Sequence, residues 1–541
     1  MALIGIDVGG TGAKAVAYAY DGTVLKYAYK EYTMKNPEPG AYMFDPRELR
    51  ETVDSIVREV VIGCGEEVVG IGCTTFGESF VCFDGDDNIM CDSIMYFDTR
   101  GEDSIKEFSA IWQPEKTLEA YGFQAPNRIS SLVKMHVMNK ADPGFFSRVK
   151  KIRMLPDFVL SGYGGGHMCD DSIASTTGCY NYNTGEWIPE MLKWAGVDPA
   201  IMPKIVPIGS IIGETGGTGG GAAGAGAGGA GSTGSTGSGA GGGAGGASGG
   251  GWVTGGLGAM RGAKLVPCGH DHTAASLGVG MCRAGQMMNE IGTVDIMMML
   301  IGEDDLPKLE AMAQSGGRRP MRPRRHVTRG NYVMGAGGGG LTGGAILKWF
   351  RDHFGLYEKA ECARDGLSFY TEYDKKIPAE PTNLIVLPQF GTGAPGRNQI
   401  GGILNMTMAT TNEQIYRAFM ECQSYAVYTG FKRVNENMRK VDDIIALGGG
   451  ANSAEYMQIR SDVFNVPIKT TMTEQGGTYG SAMLAGVAAG IWGSIEEAID
   501  ATVRINQVFE PNPANHAYYM EMYEKYMKVQ SAVNDALYPL S

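Results

Sequence analysis

The stretch GIDVGGTGAK, residues 5–14, decides the fold because it ends one apolar strand, turns on glycine and begins another. The alternation of Leu3–Asp7 and of Ala13–Tyr20 predicts two antiparallel strands joined by a tight turn. Pro46–Val61 then places apolar residues at helical spacing, and Val68–Cys73 again predicts a strand. Strands and a helix that alternate in this way indicate an α/β layered domain.

The chemistry of the glycine turn suits a phosphate. Its bare backbone lets amide groups approach phosphate oxygens, and Thr11 and Lys14 add a hydroxyl and an ammonium donor. Asp7 would repel phosphate unless a divalent cation stood between them, so the stretch predicts a seat for a metal–phosphate pair. Taken alone, a glycine-rich hairpin is as often a plain turn, and this one matches neither GxxxxGK[ST] nor GxGxxG leading into a helix.

The composition narrows the classes of function. A chain of 541 residues exceeds the size at which one hydrophobic core keeps growing, so at least two domains are expected. The formal net charge of −13 argues against nucleic acid and anionic membranes as partners. Ten cysteines without a CxxC pair indicate reduced thiols, and the lack of a basic leader or a long apolar run favours a cytoplasmic protein.

Two segments differ in composition from the rest of the chain. Residues 216–251 contain no charge and no side chain larger than threonine, which predicts a flexible linker or an irregular surface segment. Residues 316–330 hold six arginines, for which a solvated loop is favoured over a phosphate or nucleic-acid patch. Outside these segments, Gly-Thr pairs at 10–11 and 292–293 each precede a strand, which indicates a weak internal repeat.

Seven segments taken together are more specific than any one of them. The segments are GIDVGGTGAK at 5–14, YFDTR at 96–100, CDDSIASTTG at 169–178, CGHDHTAASLGVG at 268–280, IGTVD at 291–295, LGGGANSAEYMQIRSDVFNVPI at 447–468 and YGSAMLAGVAAG at 479–490. In order and spacing the chain resembles the FGGY carbohydrate kinases from end to end, apart from the glycine tract and the arginine-rich segment. The resemblance implies two actin-like, RNase H-like α/β domains around a cleft. We expect a sugar-binding domain over 1–264 and an ATP-binding domain over 265–541.

The resemblance also implies the nucleotide site. Asp271, in GHDHTAA, matches the family's aspartate that acts as general base on the sugar hydroxyl. Asp7 would hold Mg²⁺, directly or through water, beside the phosphates of ATP. The residues expected near the nucleotide are Gly10, Thr11, Lys14, Gly292, Thr293, Gly449, Gly450 and Asn452. Without the family, the aspartate after a strand reads as a helix cap and the glycines read as ordinary turns.

Four residues are expected to bind the sugar or polyol. Asp98 and Arg100 match the family's W-x-D-x-R, although Tyr96 replaces the tryptophan. Glu78 resembles the glutamate that glycerol kinases use on their substrate, and Asp171 falls where the family often has an aspartate near the sugar. Either this last aspartate or the one before it could equally cap the next helix.

Two local features raise separate questions. His270 and His272 flank Asp271, and two histidines beside a carboxylate can ligate zinc. In an extended segment the histidines would share one face and the aspartate would point the other way, so we expect no metal there. The family's Ser-Gly-Glu-Arg loop appears as Thr392–Pro395, which removes a charged contact.

These observations lead to an expected function. We expect a kinase that transfers the γ-phosphoryl group of ATP to a primary hydroxyl of a ketose or polyol, with ATP and Mg²⁺ as cofactors. Its partner would be a small-molecule sugar or polyol, with no nucleic acid and no membrane, and a homodimer is left open. Two alternatives remain: a non-catalytic actin-like ATP-binding protein, and an RNA-associated protein that uses the glycine-rich and arginine-rich segments.

Overall fold

The computed structural model describes residues 1–122, 126–216, 258–314, 323–388, 390 and 401–537. Residues 217–251 of the glycine tract, residues 316–322 of the arginine-rich segment and Thr392–Pro395 lie outside the described residues. All ten cysteines are described and all are free, as the sequence predicts. No helix in these ranges combines the length and the hydropathy that a membrane span requires.

Two large sheets repeat one strand order. Each has three antiparallel strands in succession, and two further strands extend the sheet in parallel from the first of them. In spatial order, the first sheet contains Gly213–Glu214, Lys264–His270, Val68–Thr75, Ala2–Val8, Gly12–Ala19 and Val24–Glu31. The second contains Arg324–Arg325, Asn331–Thr342, Val294–Gly302, Met287–Ile291, Ile444–Leu447, Ile468–Thr471 and Ile505–Phe509. The repeated order confirms the predicted α/β class and the weak internal repeat.

Short strands and helices make up most of the remaining described chain. The short strands are Met34–Lys35, Met43–Phe44, Phe80–Phe83, Ser93–Ile94, Lys151–Met154, Met168–Asp170, Tyr180–Asn181, Glu186–Trp187, Lys204–Val206, Ile385–Pro388 and Gly401–Leu404. The α-helices are Pro46–Cys64, Glu102–Ile111, Pro114–Tyr121, Ser131–Ala141, Phe145–Arg148, Leu155–Ser161, Asp171–Ala174, Pro189–Trp194, Asp271–Gly278, Leu306–Gln314, Gly344–His353, Leu356–Asp365, Phe369–Asp374, Asn412–Asn437, Ala454–Phe464, Gly476–Ala488, Ile495–Thr502 and Pro513–Leu537.

The predicted first helix is confirmed and runs from Pro46 to Cys64. Asp45 caps its N-terminus by accepting a hydrogen bond from the Arg47 N–H, and Gly65 ends it in the left-handed conformation. The apolar residues that face the first sheet recur at helical spacing. They are Leu49, Val53, Ile56, Val57 and Val60.

Strand Ala2–Val8 separates two cores because its side chains alternate between the faces of the sheet. Ile4 and Ile6 pack in the core that contains helix Pro46–Cys64. Leu3, on the other face, packs with helix Gly476–Ala488. The first sheet is therefore covered on one side by an early helix and on the other by a helix from near the end of the chain.

Helix Gly476–Ala488 lies so close to the first sheet that the two backbones touch. A Cβ atom at Gly5 would overlap the carbonyl oxygen of Thr478, and a Cβ atom at Gly72 would overlap that of Ser481. Glycine is required at both sheet positions because the helix backbone fills the space that any side chain would need. The glycine- and alanine-rich sequence of this helix thus acts in close packing.

The same helix approaches helix Asp271–Gly278 equally closely. A Cβ atom at Gly480 would overlap the carbonyl oxygen of Ala274, and a Cβ atom at Gly278 would overlap that of Gly476. The contact is reciprocal, because each helix has a glycine at the point where the backbone of the other helix passes. It fixes the position of the helix that begins at the predicted catalytic residue.

The strand Lys264–His270 pairs in parallel with Val68–Thr75 and so belongs to the first sheet. The boundary predicted between residues 264 and 265 would assign this strand to the second domain, and the strand order corrects that assignment. The first strand of the second sheet begins only at Met287. A short apolar strand carries no local signal for the sheet it joins, because its pairing partner lies far away in the sequence.

We predict that Gly480→Ala lowers the free energy of unfolding by about 3 kcal/mol, because the new methyl group has no space between the two helices. This loss outweighs the gain of about 1 kcal/mol that alanine brings to a helix interior. Urea unfolding followed by circular dichroism measures the change. The control is Gly402→Ala, where a Cβ atom would meet nothing within 4 Å. Equal unfolding midpoints for the two variants would refute the packing argument.

Candidate active site

Asp7 and Lys14 lie directly opposite each other in the first hairpin. Lys14 Nζ is 3.5 Å from Asp7 Oδ2. Burial raises the pKa of Asp7 from 3.8 to about 6, the charge of Lys14 opposes this shift, and the charges of Asp271 and Glu290 add to it. This electrostatic coupling indicates that the three carboxylates lie near one another, although no single segment of the sequence contains them.

A glycine covers the carboxylate of Asp7. A Cβ atom at Gly477, in the first turn of helix Gly476–Ala488, would lie 3.0 Å from Asp7 Oδ2. The missing side chain leaves room beside an oxygen ligand of the kind that Mg²⁺ prefers. The N-terminus of a helix also favours anionic groups such as phosphate, so the residues around Asp7 fit a magnesium–phosphate pair.

The turn of Gly292 and Thr293 occupies the matching place in the second sheet. The Gly292 N–H donates to the Val294 carbonyl at 3.0 Å, and the N–H of Gly344 donates to the Gly292 carbonyl at 2.7 Å. Gly344 begins helix Gly344–His353, and Thr293 is exposed. The second predicted phosphate turn therefore lies at a helix N-terminus, where phosphate binding is favoured.

A buried ion pair fixes the strand that follows this turn. Arg460 and Asp295 are 0 % and 1 % exposed, and the Arg460 guanidinium binds the Asp295 carboxylate. Arg460 also donates to Asn289 Oδ1 at 2.5 Å and to the Tyr456 hydroxyl at 2.6 Å. Charges this deeply buried persist only when paired and hydrogen-bonded, so the network holds the turn against helix Ala454–Phe464.

A cavity of about 130 Å³ opens at the carboxyl ends of strands Ile444–Leu447 and Ile468–Thr471. Gly448 and Asn452 line it, and Asn452 Nδ2 donates to Glu474 Oε1 at 3.2 Å. Ligands of α/β sheets bind at the carboxyl ends of parallel strands. The cavity therefore lies where a ligand of such a sheet would bind.

The glycines after strand Ile444–Leu447 have different reasons for lacking a side chain. Gly448 has a positive φ of 86°. A Cβ atom at Gly450 would overlap the side chain of Ile291, so this glycine brings the two turns together. A Cβ atom at Gly449 would meet nothing within 4 Å, which leaves this position open to a ligand.

Asp271 is the first residue of helix Asp271–Gly278, and His270 is the N-cap residue. His270 Nδ1 lies 2.5 Å from Asp271 Oδ1, and His272 Nδ1 lies 3.3 Å from the same oxygen. The expectation that the two histidines point away from the aspartate is therefore wrong. It assumed an extended segment, whereas the helix begins at Asp271 and brings the three side chains together.

The surroundings of Asp271 favour its charged form. Burial raises the pKa of Asp271, but the charges of His270, His272 and Arg324 outweigh burial and hold this pKa well below its ordinary range. Burial lowers the pKa of His270, and the charge of Arg324 lowers it further. The carboxylate is thus ionised at neutral pH and can accept a hydrogen bond from a substrate hydroxyl.

Glu290 belongs to the same group of carboxylates, although no motif singles it out. Its Oε2 lies 3.9 Å from His272 Nε2. Burial raises the pKa of Glu290, the charge of Asp271 adds to the shift, and the charges of His272 and Lys14 oppose it. The sequence signal for Glu290 is the alternation of side chains along strand Met287–Ile291, because residues next to each other on a strand face opposite sides.

Asp98 and Arg100 form a pair, as their shared motif implies. Arg100 donates to Asp98 Oδ2 at 2.8 Å, and the same carboxylate accepts the Tyr42 N–H at 2.9 Å. Asp98 is buried, whereas Arg100 is partly exposed. Asp98 therefore holds the guanidinium in place, and Arg100 is the more exposed member of the pair.

Glu78 lies buried beside a cation that sequence reasoning did not identify. The backbone carbonyl of Glu78 accepts hydrogen bonds from the Ser131 hydroxyl at 2.9 Å and from Lys134 Nζ at 3.1 Å. Burial lowers the pKa of Lys134 to about 8, against the opposing charges of Glu78 and Asp98. The charges of two predicted sugar residues on separate segments thus act on one lysine.

Tyr96 connects the predicted sugar residues with the catalytic aspartate. Burial raises the pKa of Tyr96, and the charges of Asp271 and Glu78 raise it further. A Cβ atom at Gly10 would lie 3.5 Å from the Tyr96 ring. The aromatic residue that replaces the family's tryptophan therefore borders the first glycine turn and lies within the electrostatic influence of Asp271 and Glu78.

Asp171 lies close to a residue of the second sheet, whereas its neighbour Asp170 caps the following helix. Asp170 accepts the Ile173 N–H at 2.9 Å as N-cap. Asp171 Oδ2 lies 3.9 Å from Arg325 Nε, which also donates to the Tyr180 hydroxyl at 3.1 Å. Arg325 is half-buried and pairs with side chains of the other domain. The expectation of a solvated arginine loop is therefore wrong for Arg325.

Two family matches cover most of the chain. Residues 2–229 match the N-terminal domain, and residues 287–489 the C-terminal domain, of the FGGY family of carbohydrate kinases. A glycerol kinase from Solidesulfovibrio magneticus is 25 % identical over 528 residues, covering 95 % of this chain and 94 % of that protein.

Solved structures agree in fold. A ligand-bound xylulose kinase from Lactobacillus acidophilus has a TM-score of 0.79 at 21 % identity and covers 99 % of each chain. A gluconate kinase from the same organism has a TM-score of 0.78 at 20 % identity, covering 100 % of this chain and 99 % of that one.

The chain belongs to the FGGY family of carbohydrate kinases. It is therefore an enzyme that phosphorylates a sugar or polyol with ATP, and the predicted actin-like fold of two α/β domains is confirmed. The alternative of a non-catalytic ATP-binding protein finds no support in these matches. The same holds for the RNA-associated alternative.

We predict that Asp7→Asn stabilises the metal-free protein more at pH 8 than at pH 4.5. The folded-state pKa of Asp7 is raised to about 6, so its ionised form costs stability above that pH. The cost disappears as the pH falls through 6 toward 3.8, because the folded protein then binds the proton more tightly than the unfolded chain. Two pKa units correspond to roughly 3 kcal/mol, which sets the upper limit of the difference between the two pH values.

Urea unfolding of both proteins in chelator measures this difference. An effect of Asp7→Asn that is equal at pH 8 and pH 4.5 would contradict the assignment of a buried, destabilising carboxylate.

Proposed function

We propose that the enzyme transfers the γ-phosphoryl group of ATP to a primary hydroxyl of a ketose or polyol, and that Asp271 accepts the hydroxyl proton. The observation that carries the proposal is that the charge of Asp271 acts on both Asp7 and Tyr96 and raises the pKa of each. The predicted base is thereby near the predicted metal ligand on one side and the predicted sugar residues on the other.

On the acceptor side, the chain offers both hydrogen-bond donors and acceptors. Glu78 and Asp171 supply carboxylates, Arg100 supplies a fork of donors, and Tyr96 supplies an apolar wall with a hydroxyl. Vicinal hydroxyls of a sugar can donate hydrogen bonds to the carboxylates and accept them from the guanidinium. Asp271 then orients one hydroxyl and takes its proton as the oxygen bonds to phosphorus.

On the phosphate side, most of the acceleration in phosphoryl transfer comes from alignment and charge neutralisation. Gly10 offers a backbone amide from the first turn, the bare backbone of Gly292 admits a phosphate to the second, and Thr11, Thr293 and Lys14 add side-chain donors. Asp7 would hold Mg²⁺, which neutralises charge on the phosphate oxygens when bound. The cavity lined by Gly448 and Asn452, with the open backbone of Gly449 and the close turn of Gly450, would take the nucleoside.

The remaining expectations form part of this proposal. The net charge of −13 supports an enzyme that works on a small molecule without a nucleic-acid or membrane partner, located in the cytoplasm. A homodimer is compatible with it. Which sugar is used depends on the placement of hydroxyl partners, so the acceptor is identified by assay.

We predict that Asp271→Asn lowers turnover by about 10² or more while ATP binding is retained, because the amide accepts no proton. Pentuloses, hexuloses, aldonates and polyols are first screened for acceptor-dependent ADP release, and the best acceptor is then used for kinetics. Isothermal titration measures ATP binding to the variant.

The matched control is Asp198→Asn, which makes the same chemical change at an exposed helix cap in the first domain. Its turnover should equal that of the unmodified enzyme. Near-normal turnover of Asp271→Asn would refute the assignment of the base, and the lack of any acceptor in the panel would refute the substrate class.

A further inference from the structure

We propose that His270, Asp271 and His272 form a binding site for a transition-metal ion of the zinc class, and that its occupancy inhibits the kinase. The site would be separate from the magnesium seat at Asp7. Metal binding is a property of the three side chains alone, whereas the inhibition rests on the proposed role of Asp271 as base.

The geometry of the donors carries the inference. Each residue offers one ligand atom, and these atoms all lie within 4.8 Å of one another. Ligands with bonds of about 2.1 Å to one ion stand roughly 3 Å apart. The separation of 3.3 Å between His272 Nδ1 and Asp271 Oδ1 already has this size. Binding through His270 Nδ1, 2.5 Å from the same oxygen, needs a rotation of the carboxylate and release of the hydrogen bond that this nitrogen accepts from the His272 N–H at 3.3 Å.

The state of His272 is a second, independent observation. Its Nδ1 is buried and has no hydrogen-bond partner among the residues that the structure describes. Its other nitrogen, Nε2, lies 3.9 Å from Glu290 Oε2. Histidine ligands of metal sites commonly direct the second ring nitrogen at a carboxylate, which sets the tautomer and leaves the first nitrogen free to bind. Glu290 is the carboxylate on that side of the ring, and it would have to approach by about 1 Å to accept this hydrogen bond.

The two imidazole rings are pre-arranged. The rings of His270 and His272 are nearly parallel, at an interplanar angle of 17° and a centroid distance of 5.0 Å. The N-terminal turn of helix Asp271–Gly278 holds both rings, so little conformational entropy remains to be lost when an ion binds.

The donor set and the surrounding charges decide which ion is bound. Two imidazoles and one carboxylate suit Zn²⁺, Co²⁺ or Ni²⁺, whereas Mg²⁺ prefers oxygen ligands only. The nearby carboxylates of Asp7 and Glu290 attract a cation, and Lys14 and Arg324 oppose it. Occupancy would use the oxygen lone pairs of Asp271, so the metal would compete with the acceptor hydroxyl.

The test begins with Co²⁺ added to the metal-free protein without substrates. We expect one equivalent to bind, with visible d–d absorption and without an intense thiolate charge-transfer band. His272→Gln and Asp271→Asn should each weaken binding about tenfold or more. His353→Gln should bind as the unmodified protein does, since it changes an exposed histidine elsewhere.

The functional arm uses Zn²⁺ at saturating Mg²⁺ and ATP. Inhibition of the unmodified enzyme should be relieved by raising the acceptor concentration, and His272→Gln should need at least tenfold more zinc for half inhibition of its own activity. The proposed site would be refuted if no Co²⁺ bound, or if the His272 and Asp271 variants bound Co²⁺ as tightly as the unmodified protein does. A metal site that is present while Asp271→Asn keeps normal turnover would instead refute only the proposed base.

Discussion

The direct contact of backbones around helix Gly476–Ala488 is the constraint on which the cleft depends. The glycines Gly5 and Gly72 admit this helix to the face of the first sheet, and Gly480 admits the helix that starts at Asp271. Helix Gly476–Ala488 also begins beside the carboxylate of Asp7, where Gly477 leaves open space. One element from near the end of the chain therefore sets the positions of the predicted base and of the predicted metal ligand. Side chains are absent where the chemistry requires distances that only backbones allow.

The second sheet is fixed by polar contacts at the corresponding place. Arg460 and Asp295 are buried as a pair, and Asn289 and Tyr456 add hydrogen bonds to it. The network begins two residues after the Gly292-Thr293 turn, so it determines where that turn presents its amides. Removing one member would leave a buried charge uncompensated, which costs far more than an exposed pair contributes. Apolar packing positions the first half of the cleft, and a buried ion pair positions the second.

Local patterns predicted the elements, and long-range packing decided which residues share the cleft. The strands at both ends of GIDVGGTGAK and the helix that starts at Pro46 follow from periodicity, and the family motifs located Asp271. The sheet that Lys264–His270 joins, the inward direction of Glu290 and the contact of Arg325 with Asp171 depend on partners far away in the sequence. The convergence of His270 and His272 on Asp271 was missed for a local reason, because a helix start was read as an extended segment.

The most direct test of this account is a crystal structure of the enzyme with magnesium, a non-hydrolysable ATP analogue and the acceptor that the assay selects. The account predicts that the terminal phosphate lies between the Gly10-Thr11 and Gly292-Thr293 turns, with an acceptor hydroxyl about 2.6–3.2 Å from the Asp271 carboxylate. A terminal phosphate bound away from both turns, or an acceptor whose hydroxyls all lie beyond the reach of Asp271, would contradict it.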